Sequence, residues 1–300
     1  MYLIFIMYAL FGTVFTAGKI SLDHAHPFFL VGIRMLIAGS ILLIYAFYKN
    51  KNTLKIDRQD YFKMFLLSLF NIYITNGFEF WGMKFITTSK TSFIYSLSPF
   101  ISALFSYFFL GEVLSKKKWL GLLIGIIGFF PILLNQSAGE SELGSFFFLS
   151  TAELAVITAT FATVIGWIVM RQLVKSYSPM VCNAYSMFFG GLMSLLHSFL
   201  AEPWQPVPIF GSLQTFTESI LWMLLISNLI CYNLYALLLK KYTVSLISFS
   251  GFSTPFFTAL FSWIMIGETL SLNFLASAIV VLCGLYLFYQ EELQKGGLEK

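Results

Sequence analysis

The chain has 300 residues, 58% of them hydrophobic and only 11% charged, with a mean hydropathy of +0.81 and a formal net charge of +4. A water-facing surface needs roughly a quarter of its residues charged, so soluble enzymes and free-standing binding modules are excluded and an integral membrane protein is expected. The basic excess forms no cluster interleaved with exposed aromatic residues, so no nucleic-acid partner is expected.

A bilayer core of about 30 Å requires roughly 20 apolar residues per helix. The chain divides into ten such runs, at 3–19, 27–48, 61–84, 89–110 and 118–134, then at 145–172, 179–200, 218–239, 244–266 and 271–289. The first run has no basic leader and passes into a chain that stays apolar, which predicts a retained helix and no cleaved signal. The links 49–60, 135–144 and 202–217 are too short to fold alone. Cys182, Cys231 and Cys283 lie far apart in apolar runs without metal-ligand spacing and read as small core residues.

Lysine and arginine orient the bundle, because positive loops stay on the cytoplasmic side. With the N-terminus inside, the inner loops and tail hold Lys49, Lys51, Lys55, Arg58, Lys63, Lys116, Lys117, Lys118, Arg171, Lys175, Lys240, Lys241, Lys295 and Lys300. The outer side keeps Lys19, Lys84 and Lys90 and carries Glu140, Glu142, Glu202 and Glu218. Both termini are therefore expected in the cytoplasm, with the protein in the inner (plasma) membrane of the cell.

The sequence also repeats. A shift of 156 residues aligns the stretch from Pro99 with that from Pro255 without a gap, matching Pro99/Pro255, Gly111/Gly267, Glu112/Glu268, Leu114/Leu270, Ser115/Ser271 and Gly128/Gly284. Apolar helices share Leu and Phe by chance, but not Pro, a Gly-Glu step and Leu-Ser in register. Five spans per half is an odd number, so the second copy enters the membrane with opposite polarity, as in secondary transporters whose halves rock about a midplane site. The predicted fold is all-α, with ten transmembrane helices in two inverted repeats, 1–138 and 139–300.

This pattern, with Gly12 to Lys19, Pro27 and Arg34 in the first helix pair, resembles the EamA type of the drug/metabolite transporter superfamily over nearly the whole chain. The resemblance implies a central cavity lined by the first four helices of each repeat. It also implies that the fifth and tenth helices serve packing or dimer contacts, and that substrates are amino acids, S-adenosylmethionine and other metabolites or drugs.

Ionisable residues at membrane depth by default face a cavity or a partner, which singles out Arg34, Glu79 and Glu153. A guanidinium can grip a carboxylate with two parallel bonds, and a buried carboxylate can neutralise an ammonium group. Together Arg34 and Glu79 suit a zwitterion; the alternative is that Arg34 pairs with one of the acids and locks the bundle. Asn71, Asn76, Asn183, Asn228 and Asn233 add amides, and Tyr73, Trp81, Tyr95, Trp167, Tyr185 and Tyr232 add aromatic faces for flat rings or cations; of these Asn76, Asn183, Asn228, Trp81, Tyr95, Tyr185 and Tyr232 are the candidates for substrate contact. Glu79 and Glu153 are also the candidates for coupling, since removal from water favours an uncharged carboxyl. Lys90 is expected to snorkel to water.

Pro99 and Pro255 sit within predicted helices, where a missing N–H frees a carbonyl and gives either a hinge or a static bend. Ser115 and Ser271 are placed to cap the helices that follow them, with Glu112 and Glu268 near the same positive helix ends. The function expected is a secondary transporter moving a small organic metabolite, an amino-acid-like zwitterion, by alternating access. Export of drugs or of nucleotide-linked or aromatic cationic compounds is the alternative, and a membrane-embedded enzyme ranks below both. No P-loop, HExxH or GxSxG occurs, and no cofactor, metal site or catalytic residue is expected. The partners expected are a small-molecule substrate and the lipid bilayer, for a monomer or homodimer.

Overall fold

The computed structural model describes residues 2–110, 115–133, 140, 143–147, 149–204, 206–242, 247, 250–269 and 271–294. The chain is an all-α membrane bundle. Five helical segments, Tyr2–Leu22, Pro27–Leu54, Thr151–Leu173, Pro179–Ala201 and Leu213–Leu238, are each long and apolar enough to cross a bilayer. Helix α1 is Tyr2–Leu22 and α2 is Pro27–Asn50. Pro27 opens α2 where its absent N–H would have had no helical partner. The Glu202 carboxylate accepts from the next two, Phe28 N at 2.8 Å and Phe29 N at 3.0 Å.

The third span runs as α3 (Tyr61–Leu67), a π-helical stretch (Ser68–Ile74) and α4 (Thr75–Met83). The fourth is broken into α5 (Thr88–Tyr95) and α6 (Ser98–Leu110), and the fifth into α7 (Lys116–Gly128) and α8 (Phe130–Leu133). A two-stranded hairpin, Ser145–Phe146 with Leu149–Ser150, leads to α9 (Thr151–Leu173) and α10 (Pro179–Ala201). The eighth span is α11 (Leu213–Met223), a second π-helical stretch (Leu224–Cys231) and α12 (Tyr232–Leu238). A tight turn, Gly251–Ser253, precedes α13 (Thr254–Ile266), and α14 (Leu272–Gln294) ends the described chain.

The repeat is visible in the backbone as well as in the sequence. The step that carries Pro99 onto Pro255 also carries Ser68 onto Leu224, so the two π-helical stretches start at equivalent places. It likewise carries the break at Ser96 and Leu97 onto the turn ending at Ser253. The two prolines differ from expectation: each is the second residue of a new helix, α6 or α13, and neither kinks the interior of one. In the first turn a missing N–H leaves no carbonyl stranded, so the discontinuity lies just before each proline.

Close backbone approaches hold the halves together. A Cβ on Gly39 of α2 would stand 2.5 Å from Phe188 N of α10, and one on Gly191 of α10 would stand 2.7 Å from Leu36 N of α2. On the far flank, Gly121 and Gly125 of α7 meet Gly284 of α14 in the small-residue packing that lets membrane helices touch. The fifth and tenth spans thus pack on each other within one chain. Cys182 and Cys231 are buried, whereas Cys283 is exposed on the apolar outside of α14, not in the core.

At the bundle end nearer Tyr2, the Tyr177 hydroxyl donates to Asp60 Oδ2 at 2.8 Å, and Lys63 Nζ pairs with Asp60 Oδ1 at 2.7 Å. These bonds, first that from Lys63 and then that from Tyr177, hold the Asp60 carboxyl below its ordinary range. A carboxyl that binds its proton more weakly folded than unfolded stabilises the fold above about pH 4 and loses that contribution as pH falls through the folded value. Asp60→Asn is therefore expected to flatten the acid limb of a thermal-unfolding profile measured from pH 6 to pH 3, leaving Tm at pH 8 lower than in the parent.

Candidate functional site: a charged and aromatic cavity between the repeats

A cavity of about 930 Å3, its open mouth included, occupies the middle of the bundle. Its wall draws on α1 (Phe11, Phe15), α2 (Arg34), the third span (Asn71, Thr75, Asn76, Glu79, Phe80) and the break between α5 and α6 (Tyr95, Ser96, Ser98). The second repeat contributes Thr163, Val164 and Trp167 of α9, Ser227, Tyr232 and Tyr235 of the eighth span, and Gly251 and Thr254 at the turn into α13. Both helix breaks thus face the cavity, where irregular backbone inside a membrane is tolerated.

Arg34 is 1% exposed. Its Nη2 donates to Asn76 Oδ1 at 2.8 Å, its Nη1 lies 3.3 Å from Met223 Sδ, and its guanidinium carbon stands 4.9 Å from the centre of the Phe80 ring. Its Nε has no hydrogen-bond partner, and no carboxylate among the described residues pairs with it within 4.0 Å. The bundle-locking ion pair weighed above is therefore not formed. Glu79, half-buried, accepts from the Tyr95 hydroxyl at 2.9 Å. Asn76 Nδ2 donates to Tyr232 Oη at 3.0 Å, joining two residues that the repeat makes equivalent.

The cavity is uneven in its chemistry. Arg34 and Glu79 both come from the first repeat. The 156-residue step replaces Glu79 by Tyr235 in the second, and Trp167 stacks on Tyr235 at 3.8 Å with Tyr232 at 5.7 Å. The charged groups come from the first repeat alone, whereas both repeats supply aromatic rings, Phe80 and Tyr95 standing beside the charges.

The remaining candidates lie elsewhere. Trp81 lines a separate outer groove with Phe28, Phe78 and His197. Asn183 donates to Asn233 Oδ1 at 3.1 Å, and Asn228 lies against Met35 Sδ at 2.9 Å, where α2, α10 and the eighth span meet. Tyr185 donates to the Leu54 carbonyl at the end nearer Tyr2. Glu153 forms a reciprocal cap with Ser150 at the start of α9 and pairs with Lys90 at 2.6 Å. Lys90 pairs at the same distance with Glu140 and is only 5% exposed, so it does not snorkel; two carboxylates offset its loss of water. The Ser150-x-x-Glu153 spacing was a legible capping signature. The repeat itself is the signal for Ser227, Tyr235, Ser98 and Thr254, since it pairs Asn71 with Ser227, Glu79 with Tyr235 and Ser98 with Thr254, all on the cavity wall.

At the end away from Tyr2 a polar chain links the repeats. Thr16 Oγ1 bonds Ser262 Oγ at 2.9 Å, Ser262 bonds Thr88 Oγ1 at 2.6 Å, and Thr88 donates to Glu268 Oε2 at 2.6 Å. Gly267 ends α13 with φ +70, a left-handed turn open to glycine, and this turns Glu268 towards the start of α5. Its carboxylate accepts from Thr88 N at 3.0 Å, so it caps a helix of the other repeat and not the helix that follows it. Glu112, its counterpart, lies outside the described residues. Ser115 and Ser271 cap α7 and α14 as expected, accepting from Lys118 N and Phe274 N.

A bundle of two inverted five-span halves, with broken helices facing a polar cavity, is the build of a secondary transporter. The chain belongs to the EamA-like transporter family, which it matches over residues 1–134 and 150–290. It is 35% identical to a protein of Chlamydia muridarum named as an S-adenosylmethionine/S-adenosylhomocysteine transporter, covering 98% of this chain and 93% of that one. It is equally similar to the protein of that name in Chlamydia trachomatis serovar L2, with 98% and 90% covered. A chloroplastic WAT1-related protein of Arabidopsis thaliana is 27% identical, covering 92% of this chain and 66% of its own. A solved crystal structure shares the fold at a TM-score of 0.69 and 16% identity, covering 98% of this chain and 96% of that one. The chain is thus a membrane transporter of a small organic metabolite.

Proposed function

We propose that the chain carries S-adenosylmethionine and S-adenosylhomocysteine across the plasma membrane by alternating access, with both termini in the cytoplasm and no catalytic step. The single observation that carries this reading is the cavity's lining, in which a guanidinium without an ion-pair partner and a carboxylate stand among aromatic rings of both repeats. Arg34 would take the substrate carboxylate, using the Nε–H that the protein leaves unbonded, and Glu79 its ammonium group. The rings of Trp167, Tyr232 and Tyr235 suit both the sulfonium and the flat base. A free amino acid would leave the Trp167, Tyr232 and Tyr235 rings uncovered, and an aromatic drug would leave Arg34 without an anion. The similarity to the two chlamydial transporters supports the same choice.

Glu79 also suits coupling, because one carboxylate holds either an ammonium group or a proton but not both. Glu153, held by Lys90, is not given this role. The breaks before Pro99 and Pro255 are the proposed hinges, and the chain works as a monomer or homodimer.

Counterflow tests the substrate: proteoliposomes loaded with unlabelled S-adenosylhomocysteine are expected to take up labelled S-adenosylmethionine several-fold above empty vesicles, saturably and without chemical change. Uptake unaffected by the internal load, or competed equally by methionine alone, would remove the adenosyl reading. An imposed proton gradient, acid on the side away from substrate, is expected to stimulate uptake in the parent and not in Glu79→Gln; a gradient without effect on the parent would end the coupling proposal.

A further inference from the structure

The cavity wall holds one amide that the protein leaves without a partner. Asn71 is 1% exposed, and neither its Oδ1 nor its Nδ2 has a hydrogen-bond partner among the described residues. A buried polar group stripped of water and left unpaired is destabilising. The neighbouring amide, Asn76, is bonded at both ends, by Arg34 at Oδ1 and to Ile72 O and Tyr232 at Nδ2. The fold can satisfy such a group at this depth and does not do so at position 71.

The position is also built. Asn71 lies in the π-helical stretch of the third span, a device that re-aims side chains at functional sites. Helix α9 packs against it at Gly166, where a Cβ would stand 2.6 Å from Asn71 Cβ and 2.9 Å from its Oδ1. The next residue of α9 is Trp167, which stacks on Tyr235. The unpaired amide therefore borders the Trp167 and Tyr235 rings, where a flat ring lying on them would turn its edge.

We infer that Asn71 is the specificity residue for the substrate's base, its Oδ1 accepting from the 6-amino group of adenine and its Nδ2 donating to the ring nitrogen beside it. An asparagine amide and an adenine edge each present one donor and one acceptor side by side, which is why they pair in two bonds. The inference rests on the adenosyl reading above and deepens it from a substrate class to one contact. It requires that loss of the 6-amino group be felt at Asn71 and not at Arg34 or Glu79.

The test is competition of labelled S-adenosylhomocysteine from the full chain in lipid nanodiscs by unlabelled S-adenosylhomocysteine and by its 6-deamino analogue. The parent is expected to prefer the amino form by about tenfold or more. Asn71→Leu, similar in size but without polar atoms, is expected to bind both forms equally, and Asn71→Ser, the milder change, to show a reduced preference even if the leucine variant does not fold. A parent that binds the two within twofold, or an Asn71→Leu protein that keeps the parental preference, overturns the assignment while leaving the adenosyl reading standing. Failure of the parent to bind either compound overturns the adenosyl reading and this inference with it.

Discussion

Arg34→Ala is expected to lower substrate affinity by at least about 30-fold, the loss that follows when one member of a desolvated charge pair is cut back. The protein should remain folded. Removing Arg34 strands no partner charge, because no described carboxylate pairs with it within 4.0 Å, and Asn76 Oδ1 keeps the Tyr232 hydroxyl at 3.4 Å. Arg34→Lys is expected to fail as a rescue, since an ammonium cannot present the planar pair of donors that matches a carboxylate. Calorimetric titration of both variants with S-adenosylhomocysteine, alongside a thermal-unfolding control, reads the effect directly. Binding within threefold of the parent in Arg34→Ala would show that the guanidinium does not hold the carboxylate.

Gly39→Leu is expected to have the largest effect on folding. Helices α2 and α10 meet backbone to backbone there, and a Cβ at position 39 would stand 2.5 Å from Phe188 N, 2.8 Å from its Cα and 3.0 Å from the Ala184 carbonyl. None of these atoms can swing aside as a side chain would. Separating the helices is expected to cost about 3 kcal/mol or more, lowering Tm by roughly 6 °C at least. Ile41→Leu, two residues along on the outside of α2, is the control and should leave Tm unchanged. A Gly39→Leu protein with the parental Tm would mean that the two helices part without loss, contrary to their close packing.

The two changes probe different layers of one design. Packing between α2 and α10 fixes where Arg34 stands, since both Gly39 and Arg34 lie on α2. The polar chain from Thr16 to Glu268 then ties the repeats at one end while the breaks before Pro99 and Pro255 lie against the cavity. A substrate held in this cavity would touch both repeats, and so would be placed to bias how they rock.

The sequence by itself determined the membrane class, the ten apolar spans and the duplication. Hydropathy depends only on composition along the chain, and Pro, Gly-Glu and Leu-Ser recur in register because both repeats need the same breaks and caps. It also singled out Arg34, Asn76, Glu79, Tyr95 and Tyr232, residues whose polarity is costly at membrane depth unless a cavity or partner receives it. Only the tertiary structure decided on which face each residue lies. In a soluble helix a polar stripe sets the phase, but a helix surrounded by lipid and by other apolar helices carries no such stripe, and each residue turns the chain by about 100°. Trp81, two residues beyond Glu79, therefore lies on the opposite side of α4 and lines another groove. The π-helical stretch shifts the phase again and sets Asn71 against Gly166, a backbone event that the side-chain pattern of the third span does not record. The pairing of Lys90 with Glu140 and Glu153 was beyond reading for a related reason: charges far apart in the chain neutralise one another only once the helices have brought them together.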